Sequence, residues 1–290
     1  MPALQQKSAN KVFNGTLTKY SFPSSALGNL EANLNVFLPS SASSSSPAPV
    51  LYYLSGLTCT EDNAAQKGNF FEAAAKEGIA LVFPDTSPRG AKIEGEDESY
   101  DFGSGAGFYI DATKDPWSKH YKMYTHIVSE IPAALQEAKL PIDFSCASIT
   151  GHSMGGHGAL TLYLKEGDKK YKSASAFSPI CHPTACPWGD KAFKGYLEGG
   201  VEEGKKHDAT ELIAGTKGKK LNILIDSGLG DNFYQQKQLL PEDFEAAARK
   251  AGHGEDEVQV RLQDGYDHSY FFISTYAPEH VRWHAKFLKN

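Results

Sequence analysis

The sequence predicts an α/β protein, in which a mostly parallel, doubly wound central sheet carries helices on both faces. The first observation is that short β-type runs alternate with helical stretches along the chain. The second is a serine between two glycines, which stands where a strand passes directly into a helix. The third is size and composition: 290 residues, 40% hydrophobic and 22% charged, predict one globular domain over residues 1–290.

The elements of the first half follow from apolar runs that are separated by turn residues. The serine- and proline-rich segment 40–49 is predicted as a polar loop rather than a domain linker. Gly78 ends the first helix, because glycine can adopt the left-handed cap conformation. The predicted strands are 33–38, 50–55 and 79–83, and the predicted helices are 61–76 and 119–138.

The second half continues the alternation of strands and helices. Ligands of such sheets bind at the carboxyl ends of the strands. Two longer irregular segments, 84–116 and 178–189, each follow a strand, and we expect both to lie around that edge of the sheet. The predicted strands are 145–150, 173–177, 221–226 and 258–262, and the predicted helices are 154–164, 241–251 and 278–288.

Charge and cysteine content narrow the partners and the compartment. The net charge is −6 and no cluster of lysine and arginine occurs, whereas nucleic-acid binding depends on such clusters. The first residues lack the apolar core of a signal peptide, and no run approaches the roughly 18 apolar residues of a membrane span. Four cysteines are too few for a disulfide scaffold. We therefore expect a cytoplasmic protein with free thiols that binds neither nucleic acid nor a membrane.

Residues 151–155, Gly-His-Ser-Met-Gly, are the most informative stretch of the chain. A serine on a sharp strand-to-helix turn has a strained backbone, and the glycines on either side let strand and helix pass closely. The following helix points its N-terminal amides and the positive end of its dipole where an oxyanion would form. Such short patterns also occur by chance, but the strand before and the helix after favour Ser153 as a catalytic nucleophile.

A serine nucleophile needs a base, and in this architecture the partners follow in the order serine, acid, histidine. His268, in the segment 264–269 directly after the strand that ends near Leu262, is the candidate base. The alternative is an ordinary histidine of a surface loop. The other histidines beyond Ser153 are expected on helices, in the irregular insertion or in polar, exposed stretches, and these are His157, His182, His207, His253, His280 and His284.

The acid is expected after the preceding strand, where both Asp226 and Asp231 qualify. Asp226 ends the strand itself, whereas Asp231 follows the flexible Ser-Gly-Leu-Gly turn 227–230, which would carry its carboxylate over the sheet edge. We favour Asp231 and keep Asp226 as the alternative. Asp267 cannot easily orient the ring of its neighbour His268 and is predicted to hydrogen-bond within its own loop.

The loop 55–60, Ser-Gly-Leu-Thr-Cys-Thr, is the candidate source of a second oxyanion donor. Gly56 would let the backbone turn, so that the N–H of Leu57 meets the N–H of Met154 near the substrate carbonyl. The alternative is a plain glycine turn at the end of a strand. Cys59 lies two residues beyond Leu57 and is therefore a candidate for the substrate pocket.

Three further signals are weaker. Residues 103–107 are glycine-rich but lack both the lysine and the strand-to-helix context of a phosphate loop. Cys181, His182 and Cys186 have no second pair of ligands nearby in sequence, so neither a metal site nor a cofactor is predicted. Trp188 either walls the acyl pocket or only packs against a loop.

Longer strings are far more specific than the serine pentapeptide. They are Leu-Ser-Gly-Leu-Thr-Cys at 54–59, the glycine-rich stretch 95–109, Asp-Pro-Trp at 115–117, Gly-His-Ser-Met-Gly-Gly-His-Gly at 151–158, Cys-Pro-Trp-Gly at 186–189 and Gly-Tyr-Asp-His-Ser-Tyr at 265–270. In these strings, nearly from end to end, the chain resembles the S-formylglutathione hydrolases, also called esterase D. The resemblance implies the α/β-hydrolase fold.

The resemblance also implies site residues and an activity. It implies Ser153, Asp231 and His268 as catalytic triad, with oxyanion N–H groups from Leu57 and Met154. Members of that family hydrolyse the thioester S-formylglutathione to formate and glutathione in formaldehyde detoxification, need no cofactor and also cleave simple activated esters. They are commonly dimers, and the sequence is compatible with a homodimer. A broad-specificity carboxylesterase is the alternative, because residues 99–101 and 181–186 depart from the family pattern near the presumed pocket.

Overall fold

The computed structural model describes residues 4–289, which contain one nine-stranded sheet. Its strands are β1 (Gln5–Val12), β2 (Gly15–Ser24), β3 (Leu30–Pro39), β4 (Ala48–Leu54), β5 (Ala80–Pro84), β6 (Ile142–His152), β7 (Ala174–Phe177), β8 (Ile223–Gly228) and β9 (Val258–Gln263). Their spatial order is β1-β2-β3-β5-β4-β6-β7-β8-β9. Neighbours from β1 to β5 pair antiparallel, and all later neighbours pair parallel. The predicted mostly parallel sheet is confirmed.

Helices cover both faces of the sheet, as the sequence predicts. They are α1 (Glu61–Lys67), α2 (Phe71–Glu77), α3 (Met123–Thr125), α4 (Ile131–Glu137), α5 (Met154–Glu166), α6 (Pro187–Tyr196), α7 (Gly200–Gly204), α8 (Ala209–Ile213), α9 (Asn232–Gln235), α10 (Pro241–Ala251) and α11 (Tyr270–Leu288). Apolar residues of α1, α2 and α11 form one buried cluster with the sheet, and those of α4, α5, α8 and α10 form a second. Among the described residues no helix is both long and apolar enough to cross a membrane.

The structure adds an N-terminal hairpin, formed by β1 and β2, that the sequence does not predict. The side chains of β1 from Gln5 to Lys11 are all exposed, so this strand shows no alternation of buried and exposed positions. Alternation is the main signal of a strand in a sequence, and an exposed edge strand lacks it. The terminal residues 1–3 and 290 of the predicted domain lie outside the described residues.

The predicted helix 61–76 is wrong as a single helix, because α1 and α2 are separated at Gly68. A Cβ at Gly68 would lie 2.4 Å from the ring of Phe70, and the next residue, Asn69, has a left-handed φ of 61° that interrupts a helix. The predicted helix end at Gly78 is confirmed, because Gly78 ends α2 with a φ of 68° and donates its N–H to the last turn.

Two further helix boundaries differ from the prediction. The helix predicted at 119–138 begins at Met123, and a π-helical turn, His126–Glu130, lies between α3 and α4. The last helix begins at Tyr270 instead of Pro278, because Ser269 caps it by accepting a hydrogen bond from the N–H of Phe271 (3.1 Å). Pro278 therefore lies within this helix, where it removes one backbone donor.

Two histidines expected in exposed stretches are not exposed. His207 is half-buried, and the side chain of His253 is buried with only 3% of its surface accessible. The ring of His253 is hydrogen-bonded to Thr216 Oγ1 (2.7 Å) and Glu257 Oε2 (2.8 Å). The sequence did not indicate this, because a polar composition does not reveal which side chains find hydrogen-bond partners inside the fold.

Buried neutral histidines make the stability of the fold depend on pH. Burial lowers the pKa of His157 to about 4 and lowers the pKa values of His152 and His284 well below the usual range. The unfolded chain binds protons on these rings near pH 6.5, so acidification favours the unfolded state. The free energy of unfolding, measured in urea, should therefore be lower at pH 5.5 than at pH 7.5, by up to about 1.4 kcal/mol for each ring that stays neutral in the folded protein.

The matched control is His157→Asn, which removes one of these rings. Over the same pH interval its free energy of unfolding should fall less than that of the unmodified protein, by up to about 1.4 kcal/mol, whatever its stability at pH 7.5. Equal free energies of the unmodified protein at pH 5.5 and pH 7.5 would contradict the assignment of these rings as neutral.

Candidate active site

Ser153 lies on a strained turn between β6 and α5, where the sequence places the nucleophile. Its φ of 57° and ψ of −118° lie outside the regions that residues other than glycine ordinarily adopt. Three backbone hydrogen bonds hold this conformation: the Ser153 N–H donates to Phe177 O (2.9 Å), and Ser153 O accepts from the N–H of His157 (3.0 Å) and of Ile180 (3.3 Å). The turn is therefore fixed by the surrounding backbone.

The two flanking glycines are required by close approach, as predicted. A Cβ at Gly151 would lie 2.2 Å from Gly155 O, and a Cβ at Gly155 would lie 2.0 Å from Leu54 O at the end of β4. Real Cβ atoms do not come this close to carbonyl oxygens, so larger residues would push the helix away from the sheet.

His268 and Asp231 are brought together after β9 and β8. The ring nitrogen His268 Nδ1 lies 2.5 Å from Asp231 Oδ2. The other oxygen of Asp231 caps α9 by accepting hydrogen bonds from the N–H groups of Phe233 (2.8 Å) and Tyr234 (3.4 Å). With this carboxylate buried and held on both oxygens, His268 Nδ1 is engaged and Nε2 is the ring nitrogen left for proton transfer.

The alternative acid, Asp226, has other partners. Its carboxylate is hydrogen-bonded by Arg261 Nε (2.8 Å), Gln263 Nε2 (2.7 Å) and His280 Nε2 (2.8 Å). Asp267 accepts hydrogen bonds from the N–H (3.0 Å) and Oγ (2.7 Å) of Ser269, so it stabilises its loop as the sequence suggests. Of the candidate carboxylates, Asp231 is the one that contacts the His268 ring.

A cavity of about 270 Å³ lies at the carboxyl edge of the sheet and brings the candidate residues together. Ser153 and His268 both line it, and so do the candidate pocket residues Cys59 and Trp188. Cys59 is half-buried, and burial raises the pKa of its thiol, so the sulfur is uncharged at neutral pH. Of Ser153 and Cys59, Ser153 is the candidate nucleophile, and the candidate base His268 lines the same cavity.

The loop that follows β4 also reaches the cavity, through Gly56 and Leu57. A Cβ at Gly56 would lie 3.1 Å from Ser153 Cβ, so the glycine is needed for close approach. The backbone turn expected at Gly56 lies instead at Thr58, which has a positive φ of 66°. Thr58 donates its N–H to Gly105 O (2.9 Å), which fixes the loop beside the nucleophile. The role of the Leu57 and Met154 amides as oxyanion donors stays a prediction.

Known proteins match this chain over nearly its whole length. A family model described as "Putative esterase" matches residues 24–289. The S-formylglutathione hydrolase of Mus musculus is 48% identical over 286 residues, which are 99% of this chain and 99% of that protein. The Arabidopsis thaliana S-formylglutathione hydrolase is also 48% identical, over 99% of this chain and 98% of its own length. The chain belongs to the S-formylglutathione hydrolase family.

A solved structure of the S-formylglutathione hydrolase family agrees with this fold. The S-formylglutathione hydrolase from Agrobacterium tumefaciens superimposes with a TM-score of 0.90 and 40% identity, over 98% of this chain and 99% of that chain. The similarity therefore extends through the whole sheet and the loops at its carboxyl edge.

In this member of the S-formylglutathione hydrolase family, aromatic side chains that the sequence analysis did not single out complete the cavity. Tyr100, Phe233 and Tyr270 line it together with Trp188. The Trp188 ring packs on Phe233 with centroids 4.6 Å apart, and its Nε1 lies 3.4 Å from Tyr100 Oη. Trp188 therefore forms part of the cavity wall, and its role beside the acyl group of a substrate stays a prediction.

A weak signal for these residues was present in the sequence. Tyr100 belongs to the irregular segment 84–116, and Trp188 belongs to 178–189, the two segments expected at the carboxyl edge of the sheet. That expectation is confirmed for both. Phe233 follows Asp231 by two residues, in the short helix α9, and its ring centroid lies 4.8 Å from that of His268, a contact that only the folded chain reveals.

His152 is a second unexpected neighbour of the base. Its ring lies 4.4 Å from the His268 ring, and burial, with a further contribution from His268, lowers the pKa of His152 well below the usual range. A neutral ring at this place adds no positive charge beside His268. In the part of the chain that the structure describes, no group of three or more His, Cys, Asp and Glu side chains has the arrangement of a metal site.

Proposed function

We propose that this protein is a serine thioesterase that hydrolyses S-formylglutathione to formate and glutathione. Membership in the S-formylglutathione hydrolase family supports the substrate. The observation that carries the mechanism is the pairing of His268 Nδ1 with the buried Asp231 carboxylate beside the cavity that Ser153 lines. Such a pair holds a histidine in the orientation and tautomer of a general base.

The first half of the reaction acylates Ser153. Its Oγ attacks the carbonyl carbon of the thioester while His268 Nε2 takes the hydroxyl proton. The N–H groups of Leu57 and Met154 donate hydrogen bonds to the oxyanion, and the N-terminus of α5 adds its dipole. The carbon–sulfur bond then breaks, the glutathione thiolate takes the proton from His268 as it leaves, and a formyl ester remains on Ser153 beside a neutral His268.

The second half releases formate. His268 removes a proton from a water molecule, the resulting hydroxide attacks the formyl ester, and the bond to Ser153 Oγ breaks. Ser153 recovers its proton from His268, so that the enzyme returns to its starting state. Water supplies the added oxygen and both protons that appear in formate and glutathione, and no cofactor is needed.

The nature of the leaving group supplies a test of this chemistry. A glutathione thiol has a pKa of roughly 8.5, judged from free cysteine, so the thiolate leaves with little help from an acid. An amide nitrogen must be protonated as it leaves, a contribution worth about 10²- to 10⁴-fold in rate. We expect kcat/KM for S-formylglutathione to exceed that for an N-formyl amide of the same peptide by at least about 10²-fold. Comparable rates for the two would contradict the mechanism.

A broad-specificity carboxylesterase is the second candidate function. It is favoured by the match to the "Putative esterase" family model, and the same residues would carry out the same two steps on simple esters. The two functions differ only in which leaving group the cavity binds in the transition state.

The compartment and the assembly belong to the proposal as well. We propose a reducing, cytoplasmic location, supported by four cysteines that are all free thiols in the described structure. We also propose a homodimer, as the family resemblance implies, and sedimentation velocity at micromolar concentration tests it. A single species at the monomer mass would contradict the dimer.

A further inference from the structure

A chain of six buried polar side chains links β6, β7 and β8 to α11, and the proposed hydrolytic steps do not use it. None of the six has accessible surface. Its links are Ser148 Oγ to Ser173 Oγ (2.8 Å), Ser173 Oγ to His284 Nδ1 (2.7 Å), His284 Nε2 to Ser175 Oγ (2.8 Å), Ser175 Oγ to His280 Nδ1 (2.9 Å) and His280 Nε2 to Asp226 Oδ2 (2.8 Å). We call these six residues the buried chain.

The direction of the hydrogen bonds is set at Asp226. Burial opposes ionisation of this carboxyl, but hydrogen bonds from His280 and Arg261 outweigh burial and lower its pKa to about 2. An ionised carboxylate only accepts, so His280 Nε2 must donate to it. Burial lowers the pKa of His280, and the neutral ring then accepts at Nδ1 from the hydroxyl of Ser175.

The remaining links follow one after another. Ser175 has given its single proton to His280, so its oxygen accepts from His284 Nε2 and from Thr150 Oγ1 (2.8 Å). Burial lowers the pKa of His284 well below the usual range, and its Nδ1 therefore accepts from Ser173, which in turn accepts from Ser148. One arrangement of protons satisfies every link, and a fully satisfied buried network holds its elements rigidly.

The buried chain ends at Asp226, where the elements that position Asp231 and His268 meet. Asp226 lies on β8, and residues 227–230 lead from it directly to Asp231. The same carboxylate is gripped by Arg261 of β9, the strand that leads to the loop of His268. His280 belongs to α11, which begins two residues after His268.

The two loops beyond this point are in direct contact. A Cβ at Gly228 would lie 2.2 Å from Tyr266 O, and a Cβ at Gly230 would lie 3.0 Å from the same oxygen. The Asp231 loop therefore rests on the backbone of the His268 loop. A displacement of β8 relative to β9 or α11 would change the contact between Asp231 and His268, and displacements of about 1 Å in a catalytic constellation lower rates by up to about 10²-fold.

We propose that Asp226, acting through His280 and Arg261, is a positioning residue that keeps Asp231 in register with His268. This inference rests on the proposed function only in naming hydrolysis as the process that the positioning serves. Asp226 touches neither substrate nor the reacting atoms. It holds together β8, β9 and α11, which position Asp231 and His268.

The kinetic test compares two variants that each remove a buried, histidine-paired carboxylate. Asp226→Asn removes the charge that orients the buried chain. Its matched control is Glu130→Gln, in the π-helical turn and outside the lining of the cavity that holds Ser153. Glu130 accepts a hydrogen bond from His126 Nδ1 (2.6 Å). Hydrogen bonds from His126 and Ser24 outweigh burial and lower the pKa of Glu130 to about 2. Both variants are assayed with 4-nitrophenyl acetate and with S-formylglutathione, at a temperature where circular dichroism shows both folded.

We expect kcat of Asp226→Asn to fall by about 10- to 100-fold on both substrates, with KM changed less than about twofold, because the cavity wall is intact. Glu130→Gln should keep kcat within about twofold of the unmodified enzyme, although it removes the carboxylate that is hydrogen-bonded to His126. Equal kcat values for the two variants would overturn the positioning role. If the unmodified enzyme cleaved only 4-nitrophenyl acetate, the proposed function would be contradicted, but the kcat values of the two variants could still be compared on that ester.

A spectroscopic measurement on the unmodified protein is independent of both variants. Long-range ¹H–¹⁵N NMR spectra distinguish protonated, Nδ1–H and Nε2–H imidazoles, and His280→Gln and His284→Gln identify the two rings. At pH 6.5 both rings should be neutral with the proton on Nε2, as the buried chain requires. A protonated ring or an Nδ1–H tautomer at either position would overturn the inference, even if Asp226→Asn does not fold.

Discussion

Replacing Ser153 with alanine should lower kcat for S-formylglutathione by about 10⁴- to 10⁶-fold while the protein still folds. The substitution removes the hydroxyl that attacks the thioester, and the Cys59 thiol, which also lines the cavity, is uncharged because burial raises its pKa. The turn itself is held by backbone hydrogen bonds of residue 153, which alanine retains. The measurement is steady-state release of glutathione thiol, with circular dichroism to establish folding.

Ser178→Ala is the matched control, because Ser178 is a buried serine directly after the strand residue that accepts the hydrogen bond from Ser153. It should keep kcat within a few-fold of the unmodified enzyme. A serine-directed phosphonate should label Ser153 and no other residue. If Ser153→Ala kept kcat within about tenfold of the unmodified enzyme, Ser153 would not be the nucleophile.

Replacing Asp231 with asparagine should lower kcat by about 10⁴-fold, the loss typical when the acid of such a triad is neutralised. The amide can no longer fix His268 with the proton on Nδ1, so the ring presents the wrong nitrogen to Ser153. The cap of α9 survives in part, since an asparagine side chain also accepts from backbone N–H groups.

The comparison that checks this result is the loss in Asp226→Asn, measured under the same conditions. We expect the larger loss of kcat in Asp231→Asn, because Asp231 contacts His268 and Asp226 contacts Arg261 and His280. The reverse ranking would transfer the role of the acid to Asp226. Thermal unfolding of both variants is needed, because a buried carboxylate that loses its charge leaves its partners unpaired.

The centre of the sheet could be predicted from the sequence because its strands are apolar runs with clear turn signals. The strands predicted at 79–83, 145–150 and 258–262 correspond to β5, β6 and β9 within a few residues. The exposed strand β1 could not be predicted, because it buries no face and so carries no period. The break at Gly68 also escaped prediction, because the flanking alanine-rich residues favour helix on both sides.

The candidate site divides in the same way. Ser153 and His268 could be located from chain order and from their places after strands, and the structure brings them to one cavity. The choice between Asp226 and Asp231 stayed open in the sequence, because both follow the same strand and only the path of residues 227–230 separates them. The aromatic wall around Trp188 could not be derived, because Tyr100 lies in an irregular segment and Phe233 lies in the four-residue helix α9, which is too short to show a sequence period.

The most direct test of the proposed function is the ratio of kcat/KM for S-formylglutathione to kcat/KM for 4-nitrophenyl acetate. A thioesterase for this substrate should use contacts to the glutathione part in the transition state, which the aryl acetate cannot make. We predict a ratio well above one, of about tenfold or more, which corresponds to at least about 1.4 kcal/mol of additional transition-state binding. A ratio at or below one would contradict a dedicated S-formylglutathione hydrolase and identify a broad carboxylesterase.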